Sequence, residues 1–466
     1  MSAVATLEDV FVPKGKFHIN KTIYLNDGQA FFGTGKDSFI DMAVDDMGGI
    51  INIVGASGNP IRNCYVHSLG FNGNSVVNLN TIGIAYAENT QVRNIWSFNT
   101  GGKAYTAQYE VFNNSCTDCY FDGGEASRGL ISLEDPTYTS KCSNNIVSNI
   151  TIGSVTDWVI ACEGAIENTL SNITVKSSLR GILLNKSHDN KLYNIETNSS
   201  NTFVQLDGSN NNNFKDCGSK TTTLMRTINF VTSMSTRNTF DKVYGVSSSI
   251  SINFSSFFSS TNFIDCSFET TAIDDCISGV GATDIKFIGC VITSPNRCIN
   301  TDGIDVVFKD CIFHAQNVGI QINNASPTLI NNEIYGATGN VMFLNGCNDA
   351  VVIGNKYDTG NQPITGKTPA EYANSWQPRV FWLGYVPNVG TFKVGDIAYN
   401  TTPSAGGIIG WVCTTAGNPG TWKAFGVINT DLKNLNNIEN NTLPTSDPAV
   451  AGQLWNNGGV VTVSAG

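Results

Sequence analysis

The sequence predicts an all-β protein, a right-handed parallel β-helix carrying a small C-terminal β module. Three observations predict it: a repeat of 21 to 25 residues, about three short apolar stretches per repeat, and a scarcity of helix formers.

The repeat is an apolar strand, then Asn, Asp or Gly, then an apolar residue or Cys. It falls at Asn94, Asp118, Asn149, Asn172, Asn194, Asp216, Asp265, Gly289, Asp310, Asn332 and Asn355. From Asn149 the steps are 23, 22 and 22 residues, then 49 to Asp265, then 24, 21, 22 and 23. The step of 49 spans two coils, with a degenerate member around Asp241. Asp118 to Asn149 is the long interval, at 31 residues. A period in this range marks a stacked-repeat architecture. Leucine-rich repeats share the length, but their Leu positions and helix are missing. Short strands separated by Asn, Ser, Thr and Gly turns, stacked about 4.8 Å apart, describe a parallel β-helix. Asn at the bend tolerates positive φ and can bond its stacked neighbours.

Composition agrees. Of 466 residues, 41% are hydrophobic and 14% charged, with 46 Gly. β-branched residues, Phe and Asn favour strands and tight turns. A net charge of −11 leaves no basic stripe to neutralise phosphates, so nucleic acid is not an expected partner. No run approaches the roughly 18 apolar residues of a membrane span, so no membrane insertion is expected. The opening MSAVATLEDVFVPKG lacks a basic segment followed by an apolar one, and no signal peptide is expected. The 13 cysteines include Cys266, Cys290 and Cys311, and Cys276 and Cys298, at the repeat interval. That placement predicts small buried hydrophobes in a stack rather than disulfides or a zinc site. Free thiols fit folding in a bacterial cytoplasm. Cys116-x-x-Cys119 reads as core flanking a turn. The triplets Asn149-Ile-Thr and Asn172-Ile-Thr match glycosylation acceptors but read as ladder Asn beside strand Thr. No Ser-His-Asp order, HExxH, paired CxxC or Walker loop appears, and neither metal nor cofactor is expected.

The ends carry a resemblance. Val12 to Met42, VPKGKFHINKTIYLNDGQAFFGTGKDSFIDM, resembles the first coil and cap of pectate-lyase-like β-helix proteins. Gly395-Asp396-Ile397, Gly410-Trp411-Val412-Cys413-Thr414 and Gly417-x-Pro419-Gly420-Thr421-Trp422 resemble a small module near the C-terminus of phage tailspikes. The closing LPTSDPAVAGQLWNNGGVVTVSAG resembles a terminal phrase of phage tail proteins. The expected division is a cap and first coil over 1–47 and a β-helix over 48–358. A linker over 359–385, a module over 386–430 and a tail segment over 431–466 follow. The resemblance implies a homotrimeric virion protein that binds and depolymerises capsular or O-antigen polysaccharide at the bacterial surface. It also implies contact with other tail proteins through an N-terminal region absent from this chain.

Stacking supplies the candidate residues. Aligning coils by Gly-φ-x-φ places Gly129, Trp158, Gly181 and Phe203 in one column, preceded by Arg128, Asp157, Arg180 and Thr202. A third column is Glu134, Glu163, Lys186 and Gly208, with Asp207 one place before Gly208. Glu134 and Glu163 on adjacent coils would be about 5 Å apart, the spacing of a retaining glycosidase pair. Their repulsion would raise one pKa, with Lys186 holding the other carboxylate ionised. If Asp207 is the partner of Glu163, the gap is about 10 Å and inversion is expected. The Glu134–Glu163 pair also fits a solvated polar ladder. Arg128, Asp157 and Arg180 also fit an ion-pair ladder. Trp158 and Tyr138 could stack on sugar rings, His188 lies beside Lys186, and the loop LEDPTYTSK could wall a groove. Asp274, Asp275 and Asp302 form the fallback carboxylate cluster. Elimination by a lyase, using Arg180 and Lys186 against a uronate, and binding without cleavage are the alternatives to hydrolysis.

Overall fold

The structure, a computed structural model, describes residues 8–42, 49–76, 79–124, 129–139, 141–231, 233–254, 256, 258–347, 350–357, 364–365, 380–390, 392–428 and 443–466. It forms two compact units, residues 1–373 and 374–466.

The first unit is a parallel β-solenoid of about 14 turns. Every strand pairing in it is parallel, and each coil contributes to three faces. Tyr65, Gln91, Ser115, Ile146, Thr169 and Lys191 stack on the first face. Gly70, Trp96, Tyr120, Thr151 and Thr174 stack on the second. Ile82, Tyr105, Ile131, Ile160, Ile182 and Val204 stack on the third. The coils continue to Ile364–Thr365, past the predicted end at 358. No helix occurs among the described residues.

The bends between first and second faces are where the repeat placed them. Asn94, Asp118, Asn149, Asn172, Asn194, Asp216, Asp265 and Asp310 all have φ between 49 and 57°. Their side chains link coil to coil: Asn149, Asn172 and Asn194 each donate to the preceding bend residue at 2.9–3.0 Å. Three expected bends are displaced by one residue. Lys242, Asn331 and Gly354 take the left-handed conformation instead of Asp241, Asn332 and Asn355.

Asn332 and Asn355 instead turn inward, where the Asn332 amide donates to Asn355 at 2.8 Å. A longer ladder of this kind runs through Asn114, Asn145, Asn168, Asn190, Asn212 and Asn238, all buried. From Asn114 to Asn212, each Nδ2 donates to the next Oδ1 at 2.9–3.1 Å. Each also donates to a main-chain carbonyl, as Asn168 does to Cys142 at 3.1 Å. Buried amides are tolerated because their hydrogen bonds are met. The apolar counterpart is a stack of Phe214, Phe240, Phe263, Phe287 and Phe308, with ring centroids 4.5–5.0 Å apart.

All thirteen cysteines are buried and unpaired, as their repeat spacing predicted. Burial pushes the Cys162, Cys217 and Cys276 thiols up to about 12, which makes thiolate scarce.

In the second unit, Val380–Leu383, Ile397–Asn400, Ile408–Thr415 and Thr421–Val427 form one sheet, antiparallel except for its first pair. It thus takes in Val380–Leu383, ahead of the expected boundary at 386. Phe392 meets Trp422 edge-on at 5.0 Å. Leu454–Asn457 and Val460–Val463 form a hairpin closed by Gly458 and Gly459, both at positive φ. Residues 359–363 and 366–379 of the expected linker and 431–442 of the expected tail lie outside the described residues.

Candidate functional site

The third face carries the predicted carboxylates. Alternation along Ile131–Glu134 puts Ile131 and Leu133 in the core and Glu134 on the outer side. Glu134 pairs in register with Glu163, as expected. The column then continues through Asn185 and Asp207, not through Lys186 and Gly208. Gln108 precedes Glu134 in the same column. Asp207 and Glu163 are therefore two rungs apart, about 10 Å by strand spacing.

Glu134 is not a carboxyl held protonated by a like-charged neighbour. It is 3% exposed and ion-paired with Lys103, whose side chain lies along Ser132, with Nζ 3.2 Å from its hydroxyl. Ser132 Oγ also donates to it, as does Gln108 Nε2 at 2.8 Å. Burial works to raise the Glu134 carboxyl, but Lys103 and these hydrogen bonds outweigh it and leave it below its ordinary value. The counter-ion is Lys103, not Lys186. Lys103→Met is expected to destabilise the fold by about 3 kcal/mol at pH 7, since it strands a buried carboxylate. Sign matters here. With Lys103, Glu134 has a lowered folded pKa, so its stabilisation holds above its unfolded value near 4.3 and fades as pH falls below it. Without Lys103 the folded pKa is raised, so the deficit shrinks on acidification from pH 7 to 4.5. Thermal melting at both pH values checks this; a deficit independent of pH would refute it.

Lys186 occupies the turn after Asn185, with φ 48°, and its Nζ lies 4.1 Å from the Tyr138 ring centroid. Tyr138 is 41% exposed. Its loop is organised by buried Asp135, which accepts main-chain hydrogens from Thr137, Thr139 and Lys141 at 2.8–3.1 Å. Asp207 accepts the Ser233 main-chain N–H at 2.8 Å. Glu163, Asp207, Lys186 and Tyr138 thus share one edge of the third face.

The expected first and second columns differ by one residue. Trp158 stacks on Arg180 and Arg180 on Thr202, because bulges after Val155 and after Ser178 absorb an extra residue. Asp157 still reaches Arg180, at 3.2 Å, while Arg180 lies 5.3 Å from the Trp158 ring centroid. Burial raises the Asp157 carboxyl, with Arg180 opposing. Trp158, 4% exposed, is not a sugar platform. Asp157 and Trp158 lie six and five residues before Glu163 on Ile146–Glu163, and Arg180 lies five before Asn185 on the next coil. Arg128 falls outside the described residues. His188 is part of a corner ladder, its Nδ1 3.3 Å from the Asn210 main-chain nitrogen, and burial lowers its pKa.

The fallback cluster is not a cluster. Asp275 is clasped by Arg297 at 2.6 and 3.1 Å and by Asn300 at 2.7 Å. Asp274 accepts from Ser249 at 3.1 Å. Asp302 stacks on Val280, five residues along the strand from Asp275, and accepts from Asn324 at 2.9 Å.

A groove of about 450 Å³ on the second face went unread in the sequence. Glu269, Thr293, His314 and Tyr335 stack along it, with the His314 and Tyr335 rings 5.5 Å apart. Residue type changes at every coil there, so no column pattern marks it. Glu269 is the single carboxylate among its described lining residues. Two carboxylates are needed for glycoside hydrolysis, which favours the third face. Among the described residues no cluster of three or more His, Cys, Asp or Glu could hold a metal ion.

No family model matches the chain, and no curated protein matches it. Among solved structures, it is similar to the N-terminal fragment of bacteriophage Phi29 gene product 12, at 12% identity and TM-score 0.48, covering 84% of this chain and 75% of that one. The A-module of the Azotobacter vinelandii mannuronan C-5 epimerase AlgE6 matches at 12% identity and TM-score 0.42, covering 78% and 91%. Tailspike protein 3 of bacteriophage CBA120 matches at 11% identity and TM-score 0.35, covering 89% and 64%. Such identities supply no residue-level correspondence, so the chemistry rests on the side chains themselves.

Proposed function

We propose that the protein is a phage tailspike-type depolymerase that binds and hydrolyses a bacterial capsular or O-antigen polysaccharide. The carrying observation is the outer column of the third face, where Glu163 and Asp207 lie two rungs apart beside Tyr138 and Lys186. With Glu134 committed to Lys103, these two are the working carboxylates. A separation near 10 Å suits an inverting pair, which leaves room for water between carboxylate and sugar. In this reading Glu163 protonates the leaving glycosidic oxygen. Asp207, oriented by the Ser233 N–H, activates the water. The terminal sequence signatures support the tailspike assignment, and with it a homotrimer carried on the virion.

Elimination is the second reading, favoured by Lys186 against Tyr138: a cation to neutralise a uronate, and a tyrosine oxygen that as phenolate takes the α-proton and as phenol returns it to the leaving glycosidic oxygen. Product analysis separates the two. The protein is incubated with capsular and O-antigen polysaccharides purified from a panel of bacteria, and fragments are weighed by mass spectrometry. Hydrolysis adds one water per cut; elimination adds none and leaves a product absorbing in the near ultraviolet. Polymers that are bound but not shortened would make the protein an adhesin and overturn both readings.

A further inference from the structure

Three aromatic residues have positive φ among the described residues: Tyr86 at 49°, Tyr109 at 66° and Tyr138 at 54°. For a bulky side chain this conformation is strained, and strain of this kind collects where a site over-determines it. All three lie on the same edge of the third face. Tyr86 and Tyr109 directly follow Ala85 and Gln108, the two members of the outer column nearest before Glu134. Further along the same edge the turn is made by Gly164, at φ 64°, Lys186, at φ 48°, and Gly208, at φ 58°; it is unstrained for the two glycines.

The Tyr86 and Tyr109 rings are stacked, centroids 5.1 Å apart and planes 5° from parallel, yet Tyr109 remains 36% exposed. Their turn is clamped from both sides. Glu110, the residue after Tyr109, accepts from Lys141 Nζ at 2.5 Å, Ser57 Oγ at 2.7 Å and the Gly58 N–H at 3.3 Å. Gln108, the residue before it, is tied to Glu134 at 2.8 Å. One face of each ring is turned to the other, and the exposed part of Tyr109 at the margin of a polar column offers an apolar aromatic surface to the C–H face of a pyranose ring, whose hydroxyl edge would then face the column.

We propose that Tyr86 and Tyr109 form an aromatic subsite for a pyranose unit of the polymer, with Tyr138 a second platform beside Glu163. This rests on the polysaccharide-binding part of the reading above. The glycan then runs along the solenoid axis. From Tyr86 to Asp207 it crosses five rungs, about 24 Å, which is room for several sugar units.

The test uses the full chain and an array of purified bacterial capsular and O-antigen polysaccharides. On a polymer that the wild type cleaves, the double variant Tyr86→Gly/Tyr109→Gly is expected to raise KM at least ten-fold with kcat within two-fold. Its melting temperature should stay level or rise, because glycine relieves the left-handed strain. Tyr109→Phe should keep a KM near wild type. If the double variant does not fold, Tyr109→Asn, which tolerates the same φ, carries the test with an expected KM rise of about three-fold. For a wild type that binds without cleaving, the same ten-fold change is read in Kd. An unchanged KM, with or without a lower melting temperature, makes the stack a packing feature and overturns the subsite alone. A wild type that neither binds nor shortens any polymer on the array overturns the depolymerase reading and the subsite together.

Discussion

Glu163→Gln is expected to lower polymer cleavage by about three orders of magnitude, because it removes the proton that the leaving sugar oxygen needs. The amide is nearly isosteric with the acid, so the far-ultraviolet circular dichroism and the melting temperature should stay at wild-type values. Reducing-end release from a cleaved polymer is the measurement. Glu134→Gln gives the contrast. Its carboxylate faces Lys103 rather than substrate, so cleavage should fall less than ten-fold while stability drops. Full activity in Glu163→Gln would remove that residue from the mechanism, and the separation argument for inversion would go with it.

Asn168→Ala is expected to cost about 5 kcal/mol of stability, from three buried groups left unsatisfied at roughly 1–3 kcal/mol each. The groups are the Asn145 main-chain N–H, one Asn145 side-chain N–H and the Cys142 carbonyl. Long solenoids open segment by segment. The loss is therefore best read as hydrogen exchange in the coils holding Asn145 and Asn190, together with the urea midpoint. A loss below about 1 kcal/mol would mean that water or a shifted neighbour replaces the amide.

The solenoid was legible because its period is long and its bend chemistry local: Asn149, Asn172 and Asn194 announce the left-handed turn by residue type and spacing. The pairing of Glu134 with Glu163 was legible for the same reason. The columns starting at Trp158 slipped by one because bulges change the step between coils without any Gly or Pro to mark them. Asn331 was passed over for Asn332 because two adjacent asparagines offer both the bend and the ladder, and only packing decides between them. Lys103 was invisible as a partner of Glu134. Its long side chain runs along a strand instead of stacking over its counterpart, and no period reports that. The tyrosines at positive φ had no sequence signal either, since tyrosine is not a residue that makes such turns on its own.

The asparagine row also has a direction. From Asn114 to Asn212 every carboxamide donates one N–H to the side-chain oxygen of the asparagine in the coil that follows and the other to a main-chain carbonyl of the coil before. The C=O and N–H dipoles therefore point the same way along the axis, and each polarises the next. An amide at the C-terminal open end of a partly wound chain still has an unmet donor, which the Oδ1 of the next asparagine satisfies when its coil arrives. Adding a coil at either end and extending this polar wire are thus a single step, because the ladder ends in an open donor at one end and an open acceptor at the other.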